Sequence, residues 1–368
     1  MRSSLFLLVS LVLAARPASE SFQVAAPGYA FSFPRDHFAH PAFQTEWWYY
    51  TGNLRASDGR RFGFELTFFR QAASPSTAPS SVWATGELYL AHFALSDIDG
   101  RSFHHTERLH RAGPGLAGIS QSVGRYWNGN WQVRWIALPS DTQELIAVTD
   151  RYTLRLRLDP LKPPVLQGQD GISRKGPAPG QASHYISFTR IRAQGEIRQP
   201  NSSRAVTGSV WMDHEFFTEP PDTALVGWDW FAVQLDNDQE LTLYRLREQA
   251  GKVSSFSSGS YVDRQGHLRF LSSTDFSLTP GDPWLSPHSG ARYPLAWQIS
   301  VPSLGLTLSA RTDLPDQELW SPASLTPPYW EGAVHYRGTM QGAPVTGLGY
   351  LELTGYRRPV TLSGVAPK

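Results

Sequence analysis

The sequence predicts an all-β protein with two antiparallel sheet domains, because its composition, periodicity and length all favour that class. Its 368 residues include 13 Trp, 14 Tyr and 19 Phe with 31 Gly and 28 Pro, a composition that favours half-buried strands and tight turns over helices. Apolar and polar residues alternate with period two in several segments, and no long helical period occurs. A mature chain of about 350 residues exceeds what one hydrophobic core usually organises, so two domains are expected.

The first 19 residues have the pattern of a secretory signal peptide. Arg2 is followed by an apolar core from Leu5 to Leu13 and by small residues up to Ser19, which is the order of regions in such peptides. The core is too short for a permanent membrane span, and no later stretch is long and apolar enough. The chain has no Cys, hence no disulfide and no lipid-acceptor Cys. We therefore expect a soluble periplasmic or secreted protein.

Two segments show the alternation most clearly. The apolar residues of the first are Phe62, Phe64, Leu66 and Phe68, and those of the second are Tyr152, Leu154, Leu156 and Leu158. Short turn signals lie between such runs: Asp58-Gly59, Asp99-Gly100, Asn128-Gly129, Asp236-Asn237-Asp238, Gln265-Gly266 and Gln341-Gly342. Many short strands at this spacing predict antiparallel meanders, which form barrels or sandwiches.

A weak internal repeat divides the chain. An aromatic strand start and a hairpin run from Trp47 to Arg70, and a similar pattern runs from Trp228 to Arg245, so each half is predicted to open a related barrel. The Pro- and Gly-rich stretch from Pro160 to Gln181 is interpreted as a loop or linker. With a turn-like stretch near residue 200, the predicted division is a signal peptide at 1–19, an N-terminal domain at 20–204 and a C-terminal domain at 205–368.

Charge and motifs exclude several functional classes. The 33 basic and 32 acidic residues nearly cancel, which argues against a nucleic-acid or anionic-membrane partner. Nucleotide-binding glycine motifs, the His-Glu-x-x-His zinc motif and the Gly-x-Ser-x-Gly nucleophile motif are all absent. No cofactor is predicted.

The densest cluster of acid, imidazole and indole groups lies between Gly208 and Arg247. On an extended strand, Trp211, Asp213 and Glu215 share one face, and His214 lies on the other. Two carboxylates about 7 Å apart beside an indole are expected to raise one pKa by desolvation and mutual repulsion, leaving a protonated acid near neutral pH. In the alternative interpretation, these carboxylates only bond loop amides or pair with Arg residues.

A second candidate group lies on the first aromatic strand. Glu46, Trp48 and Tyr50 share a face there and are expected to line a barrel interior as substrate-binding residues. The alternative is aromatic core packing with Glu46 paired to an Arg; Arg70 and Arg245 are the expected partners of Glu46 and Asp213. A metal site would need His214 together with its two acidic neighbours, and adjacent strand side chains diverge. No metal site is predicted.

Several motifs resemble those of the AttH and carotenoid 1,2-hydratase family. They are His37 with Thr45 to Leu54, Phe62-Gly63-Phe64 with Phe68-Phe69-Arg70, Trp211 to Glu215 with Gly227 to Trp230, and Tyr329 to Gly332 with Gly349 to Tyr356. The resemblance spans nearly the whole mature chain and implies two lipocalin-like (calycin) β-barrels packed together, with a pocket at or between them. It also implies kinship with proteins that hydrate or cyclise long polyenes and other apolar substrates. Many relatives carry Trp after Asp-His-Glu, where this chain has Phe216.

These observations lead to two functional hypotheses. In the first, an exported enzyme adds water to an apolar or polyene-like substrate, or cyclises it, by general acid catalysis. Asp213 is then the acid, His214 an orienter or proton shuttle, and Glu215 a second carboxylate, beside a wall formed by Trp211, Trp228, Trp230 and Tyr244. In the second, the barrels only bind a hydrophobic ligand. The hydrolase label customary for the family has no nucleophile and base pair here to support it.

Overall fold

The computed structural model describes residues 21–75, 86–136, 140–324 and 326–360. The predicted signal peptide at 1–19 lies outside these residues. Strands dominate the described chain, and its helices are three short 3₁₀ turns: Arg35–His37, Gln249–Gly251 and Pro302–Leu304. None of these helices is long or apolar enough to cross a membrane. The all-β prediction is confirmed.

The first sheet is a nearly closed barrel of 13 strands. Its strands are β1 (Thr45–Ala56), β2 (Arg61–Ala72), β3 (Glu87–Asp97), β4 (Ser102–Arg111), β5 (Ala117–Ser120), β6 (Arg125–Asn128), β7 (Trp131–Trp135), β8 (Gln143–Val148), β9 (Thr153–Pro160), β10 (Val165–Leu166), β11 (Ile172–Arg174), β12 (Ala182–Gln199) and β13 (Ser202–Phe217). The order is β4-β3-β2-β1-β13-β12-β9-β8-β7-β6-β5, and β10 and β11 pair with β12. Every pairing is antiparallel.

The second sheet forms a half-barrel of 10 strands. Its strands are β14 (Leu225–Leu235), β15 (Glu240–Glu248), β16 (Ser258–Val262), β17 (Leu268–Ser272), β18 (Ser277–Pro280), β21 (Trp297–Val301), β22 (Leu306–Arg311), β23 (Glu318–Leu319), β24 (Tyr329–Met340) and β25 (Ala343–Leu353), while β19 (Pro283–Leu285) and β20 (Arg292–Pro294) form a separate hairpin. The order is β17-β16-β15-β14-β25-β24-β22-β21-β18, with β23 beside β24. This architecture matches the predicted pair of packed lipocalin-like barrels.

Each barrel has its own apolar core, formed by one of the two alternating sets of side chains on its strands. In β2, Phe62, Phe64, Leu66 and Phe68 all belong to the first core, as the period-two pattern predicts. The second core includes Phe231, Val233 and Leu235 of β14. The side chains on the opposite faces of β2 and β14 point away from these cores, towards the other barrel.

The change from the first sheet to the second lies between Phe217 and Leu225, and not at the predicted 204/205 boundary. The turn near residue 200 joins β12 to β13 within one sheet, where β13 also pairs with β1. The second half repeats this closure, because its last strand, β25, pairs with its first strand, β14. The strand bearing Asp213 is thus the last strand of the first barrel. It opens no second barrel.

The stretch from Pro160 to Gln181, which was predicted to be a loop or linker, also does not separate the two domains. It contributes β10 and β11 to the first sheet, and Lys162 from this stretch donates to Glu240 of the second barrel across 2.7 Å. Its Pro and Gly residues give it irregular backbone, but buried polar contacts hold it against both barrels. The stretch is therefore part of the barrel-barrel interface.

The two barrels meet through the outer faces of several strands, among them β1 with β25 and β2 with β24. Asn53 donates to the carbonyl of Gly349 across 3.0 Å, and Ser96 donates to Gln317 across 2.6 Å. At Gly63, an added Cβ would lie only 2.8 Å from both Ala333 and the Tyr350 hydroxyl. A glycine at this position lets β2 approach the second sheet closely.

Candidate active site between the barrels

Trp211, Asp213 and Glu215 of β13 all lie at the junction of the two barrels. Trp211 packs in an apolar cluster with Trp230, Tyr244 and other residues of the second barrel. Met212, on the opposite side of the strand, belongs to the first barrel core. Asp213 and Glu215 are both buried, so the alternation expected on this strand places two carboxyl groups between the barrels.

Asp213 is held by three neutral hydrogen-bond donors. Its Oδ1 accepts from Ser187 across 2.5 Å and from Trp211 Nε1 across 2.7 Å, and its Oδ2 accepts from Tyr185 across 2.5 Å. Burial raises the pKa of Asp213 to about 7, although the three donors oppose this shift. The predicted pairing with Arg245 is wrong, because Arg245 binds Asp229 across 2.7 Å. Asp213 therefore retains a substantial protonated fraction near neutral pH.

Glu215 differs from Asp213 because it has a cationic partner. Lys175 Nζ lies 2.9 Å from its Oε2, and Ser183 donates to the same oxygen. Burial alone would lower the pKa of Lys175, but the charge of Glu215 reverses the effect and raises it. Of the two neighbouring carboxyl groups, Glu215 forms an ion pair with Lys175, whereas Asp213 forms none among the described residues.

Aromatic side chains surround these acids. The ring of Trp230 lies edge-on to Trp211, with centroids 6.1 Å apart, and edge-on to Tyr49, at 5.2 Å. Trp230 Nε1 also donates to Tyr185 across 3.2 Å, which continues the network that reaches Asp213. Tyr244 is bonded to Ser173 across 2.8 Å. Trp228 is half-buried at this cluster, where the site approaches solvent.

Three further carboxyl groups in the interface were not predicted: Glu65, Glu331 and Glu352. Burial raises the pKa of Glu65 to about 8 and that of Glu352 to about 7, and it raises the pKa of Glu331 well above its usual range. Tyr49 donates to Glu331 across 2.7 Å, and Trp228 donates to Glu352 across 2.8 Å. The interface therefore brings together five carboxyl groups from both barrels.

His214 lies inside the first barrel, away from Asp213. Its Nε2 is 2.8 Å from Glu46 Oε1, its Nδ1 is 3.1 Å from the carbonyl of Asp36, and its ring stacks on Trp48 at 4.6 Å. The predicted role as an orienter of Asp213 does not fit this position, because adjacent strand residues point to opposite faces.

Glu46, Trp48 and Tyr50 also belong to the interior of the first barrel. Arg70 donates to Glu46 across 3.1 Å, which confirms that predicted pair, and His40 Nδ1 lies 2.6 Å from Glu46. Tyr50 donates to Gln143 across 2.7 Å. These contacts agree with core packing and give the three residues no path to the interface acids.

His40, Glu46 and His214 are the one group among the described residues close enough together to share a metal ion. His40 lies between two carboxylates, with its Nε2 3.1 Å from Asp36, and it stacks on Phe216 at 3.6 Å. Burial would lower the pKa of His40, but Glu46 and Asp36 raise it. Glu46 Oε2 already accepts a hydrogen bond from Arg70 Nε. A network of ion pairs accounts for this cluster.

Comparison with known proteins agrees with this architecture. The sequence model of a family described as AttH-like matches residues 24–356. A crystal structure of a protein from Nitrosomonas europaea assigned as an AttH is 34% identical, with a TM-score of 0.82, and the match covers 92% of this chain and all of that chain (100%). No curated protein matches the sequence.

Two more distant structures share the fold. Kievitone hydratase from Nectria haematococca is 12% identical, with a TM-score of 0.69 over 92% of this chain and 96% of that chain. CghA, solved with Sch210972, is 15% identical, with a TM-score of 0.50 over 84% and 88% of the two chains. At these identities the likeness concerns the fold.

Proposed function

This chain belongs to the AttH-like family, and from that premise and the acids between its barrels we propose that it is a hydratase-like enzyme. The proposed substrate is an apolar alkene or polyene, to which the enzyme adds water or which it cyclises. Asp213 supplies the proton, and no cofactor is required. The fold shared with kievitone hydratase is compatible with this chemistry.

The proposal rests on the burial, the hydrogen-bond partners and the raised pKa of the Asp213 carboxyl group. This carboxyl group is 3% exposed, has neutral hydrogen-bond partners and has a pKa raised to about 7 by burial. Protonation of an alkene carbon requires an acid that keeps its proton at the working pH. The cation formed on the neighbouring carbon is stabilised by aromatic faces, and Trp211, Trp230 and Tyr49 provide them. Glu215, paired with Lys175 across 2.9 Å, is the second carboxyl group beside this site.

Isotope labelling tests the proposal directly. The protein is incubated with apolar lipids extracted from its native envelope, once in H₂¹⁸O and once in D₂O, and the products are analysed by mass spectrometry. Hydration incorporates ¹⁸O and one deuterium on carbon, whereas cyclisation incorporates deuterium without ¹⁸O. A lipid that is recovered bound and unlabelled would contradict the enzyme and would favour a binding protein for a hydrophobic ligand.

We further propose that the enzyme is exported to the periplasm or secreted, on the basis of Arg2 and the apolar run from Leu5 to Leu13. The expected mature protein begins between Ala15 and Phe22. Intact-mass measurement on envelope and cytosolic fractions checks this prediction. Recovery of the full-length chain from the cytosol would contradict it.

A further inference from the structure

Glu331 and Glu352 lie directly opposite each other on the hairpin of β24 and β25. In an antiparallel pair, directly opposed residues project from the same face of the sheet with Cβ atoms about 4.5–5.5 Å apart, and like charges in this position destabilise the sheet. The shared face of this pair is the one that meets the first barrel, because Glu331 accepts a hydrogen bond from Tyr49. Two acids are therefore forced together inside the interface.

No cation compensates this pair in the part of the chain that the structure describes. Glu331 is 1% exposed, and its Oε2 has no hydrogen-bond partner. The half-buried Glu352 accepts from the indole of Trp228. The charged or titratable groups that face the pair include three carboxyl groups, Glu65, Asp213 and Glu215, and three tyrosines, Tyr49, Tyr329 and Tyr350. Each of the three carboxyl groups raises the pKa of one of the two acids. Burial raises the pKa of each tyrosine, and Tyr49 donates a neutral hydrogen bond.

Several other buried carboxylates have positive partners, whereas Asp213 and Glu65 have neutral hydrogen-bond donors. Glu46 pairs with Arg70, Asp229 with Arg245 and Arg247, and Glu240 with Lys162 and Arg190. The pair on β24 and β25 departs from this pattern. Two adjacent carboxyl groups in a low-dielectric site cannot both ionise easily, so the pair retains a proton instead of a counter-ion.

We propose that Glu331 and Glu352 form a carboxyl dyad, which shares one proton and serves as the base that activates water in the reaction of this enzyme. This inference rests on the proposed function for its chemistry, although the sharing of a proton does not depend on it. The dyad is distinct from the acid Asp213, and Trp230 lies between them: it bonds to Tyr185 on one side and pairs with Glu352 in the β14–β25 register on the other.

Asp213 and the dyad together donate and accept the protons that the addition of water requires. The Asp213 proton passes to one alkene carbon, the C=C π bond is consumed, and the neighbouring carbon becomes a cation. The oxygen of water then forms a C–O bond with this carbon, and one water proton passes to the carboxylate of the dyad. The product carries one new C–H and one C–OH group. Return of the proton from the dyad to Asp213 through solvent restores the enzyme.

The shared proton is tested first, without any substrate. A group whose pKa is raised in the folded state stabilises the fold at low pH and loses this contribution as the pH rises from its unfolded to its folded pKa. The melting temperature of the wild type should therefore fall between about pH 4.5 and pH 7. Glu331→Gln and Glu352→Gln should each reduce this fall and remove an infrared C=O band of a protonated carboxyl at neutral pH.

A matched control is Asp229→Asn, which removes a buried carboxylate that two Arg residues compensate. This change should lower the melting temperature at neutral pH, whereas the dyad variants should leave it unchanged or raise it. A protonated-carboxyl band and a pH-dependent melt that both survive unaltered in Glu331→Gln and Glu352→Gln would overturn the proposal.

Labelling separates the role of the dyad from that of Asp213. The double variant Glu331→Gln/Glu352→Gln has no base left in the dyad, so ¹⁸O incorporation should fall by roughly 10² or more. Deuterium exchange into recovered alkene should continue, because Asp213 still donates a deuteron to the alkene and takes a different proton back from the cation. Equal loss of both labels in the dyad variants would reject the assigned role. If the wild type incorporates neither label, the proposed function fails, and the infrared and melting results decide the dyad separately.

Discussion

Replacement of Asp213 by Asn is expected to abolish most turnover while the fold remains intact. The amide keeps the shape of the carboxyl group and an acceptor for Ser187 and Trp211, but it has no transferable proton. Loss of a general acid lowers the rate by a factor of roughly 10² to 10⁴. Because Asp213 has neutral partners and no ion pair in the described structure, its replacement leaves no buried cation without a counter-ion. The measurements are deuterium incorporation, ligand binding and thermal melting on the same variant.

The pH dependence gives an independent signature of this acid. A general acid must be protonated to act, and the pKa of Asp213 is raised to about 7, so the rate should decline as the pH rises through this value. The control is Ser187→Ala, which removes one hydrogen bond to Asp213 and retains the acid; its rate should fall far less than that of Asp213→Asn. A large drop in melting temperature with binding lost in parallel would instead identify Asp213 as a structural residue.

The sequence predicts the faces of strands better than it predicts which strands are neighbours. The alternation through β13 was sufficient to place Asp213 on one side and His214 on the other. It could not show that β13 closes the first barrel against β1, because that pairing joins residues at least 150 positions apart, such as Tyr49 and Asp213. The domain boundary was accordingly placed too early.

The sequence is sufficient to predict that Glu331 and Glu352 face each other, but it is not sufficient to predict that Lys175 contacts Glu215. The turn at Gln341-Gly342 pairs Met340 with Ala343, and the same register continued along both strands places Glu331 opposite Glu352. Lys175 lies in a Pro- and Gly-rich stretch without a periodic pattern. Its contact with Glu215 depends on the path of an irregular loop across the sheet, and local patterning contains no information about such a path.

Arg70 should be among the most costly residues to remove from the first barrel. It is 1% exposed, and besides Glu46 it donates to the carbonyls of His40 and Phe43 across 2.8 and 2.7 Å and to Glu87 across 2.9 Å. Arg70→Met keeps much of the apolar volume and leaves these acceptors without the guanidinium. Breaking a buried ion pair by removing one partner costs about 3 to 5 kcal/mol of the free energy of unfolding.

Urea denaturation measures this loss, and Arg61→Met provides the matched control. Arg61 pairs with Asp99 and Asp313 at the surface, with side chains 41%, 39% and 43% exposed, and exposed pairs of this kind contribute about 0 to 1 kcal/mol. Arg70→Lys should fall between the two, because an ammonium keeps the charge but cannot reach all four acceptors in the planar geometry of a guanidinium. Equal stability losses in Arg70→Met and Arg61→Met would show that His40 compensates the charge of Glu46 without Arg70.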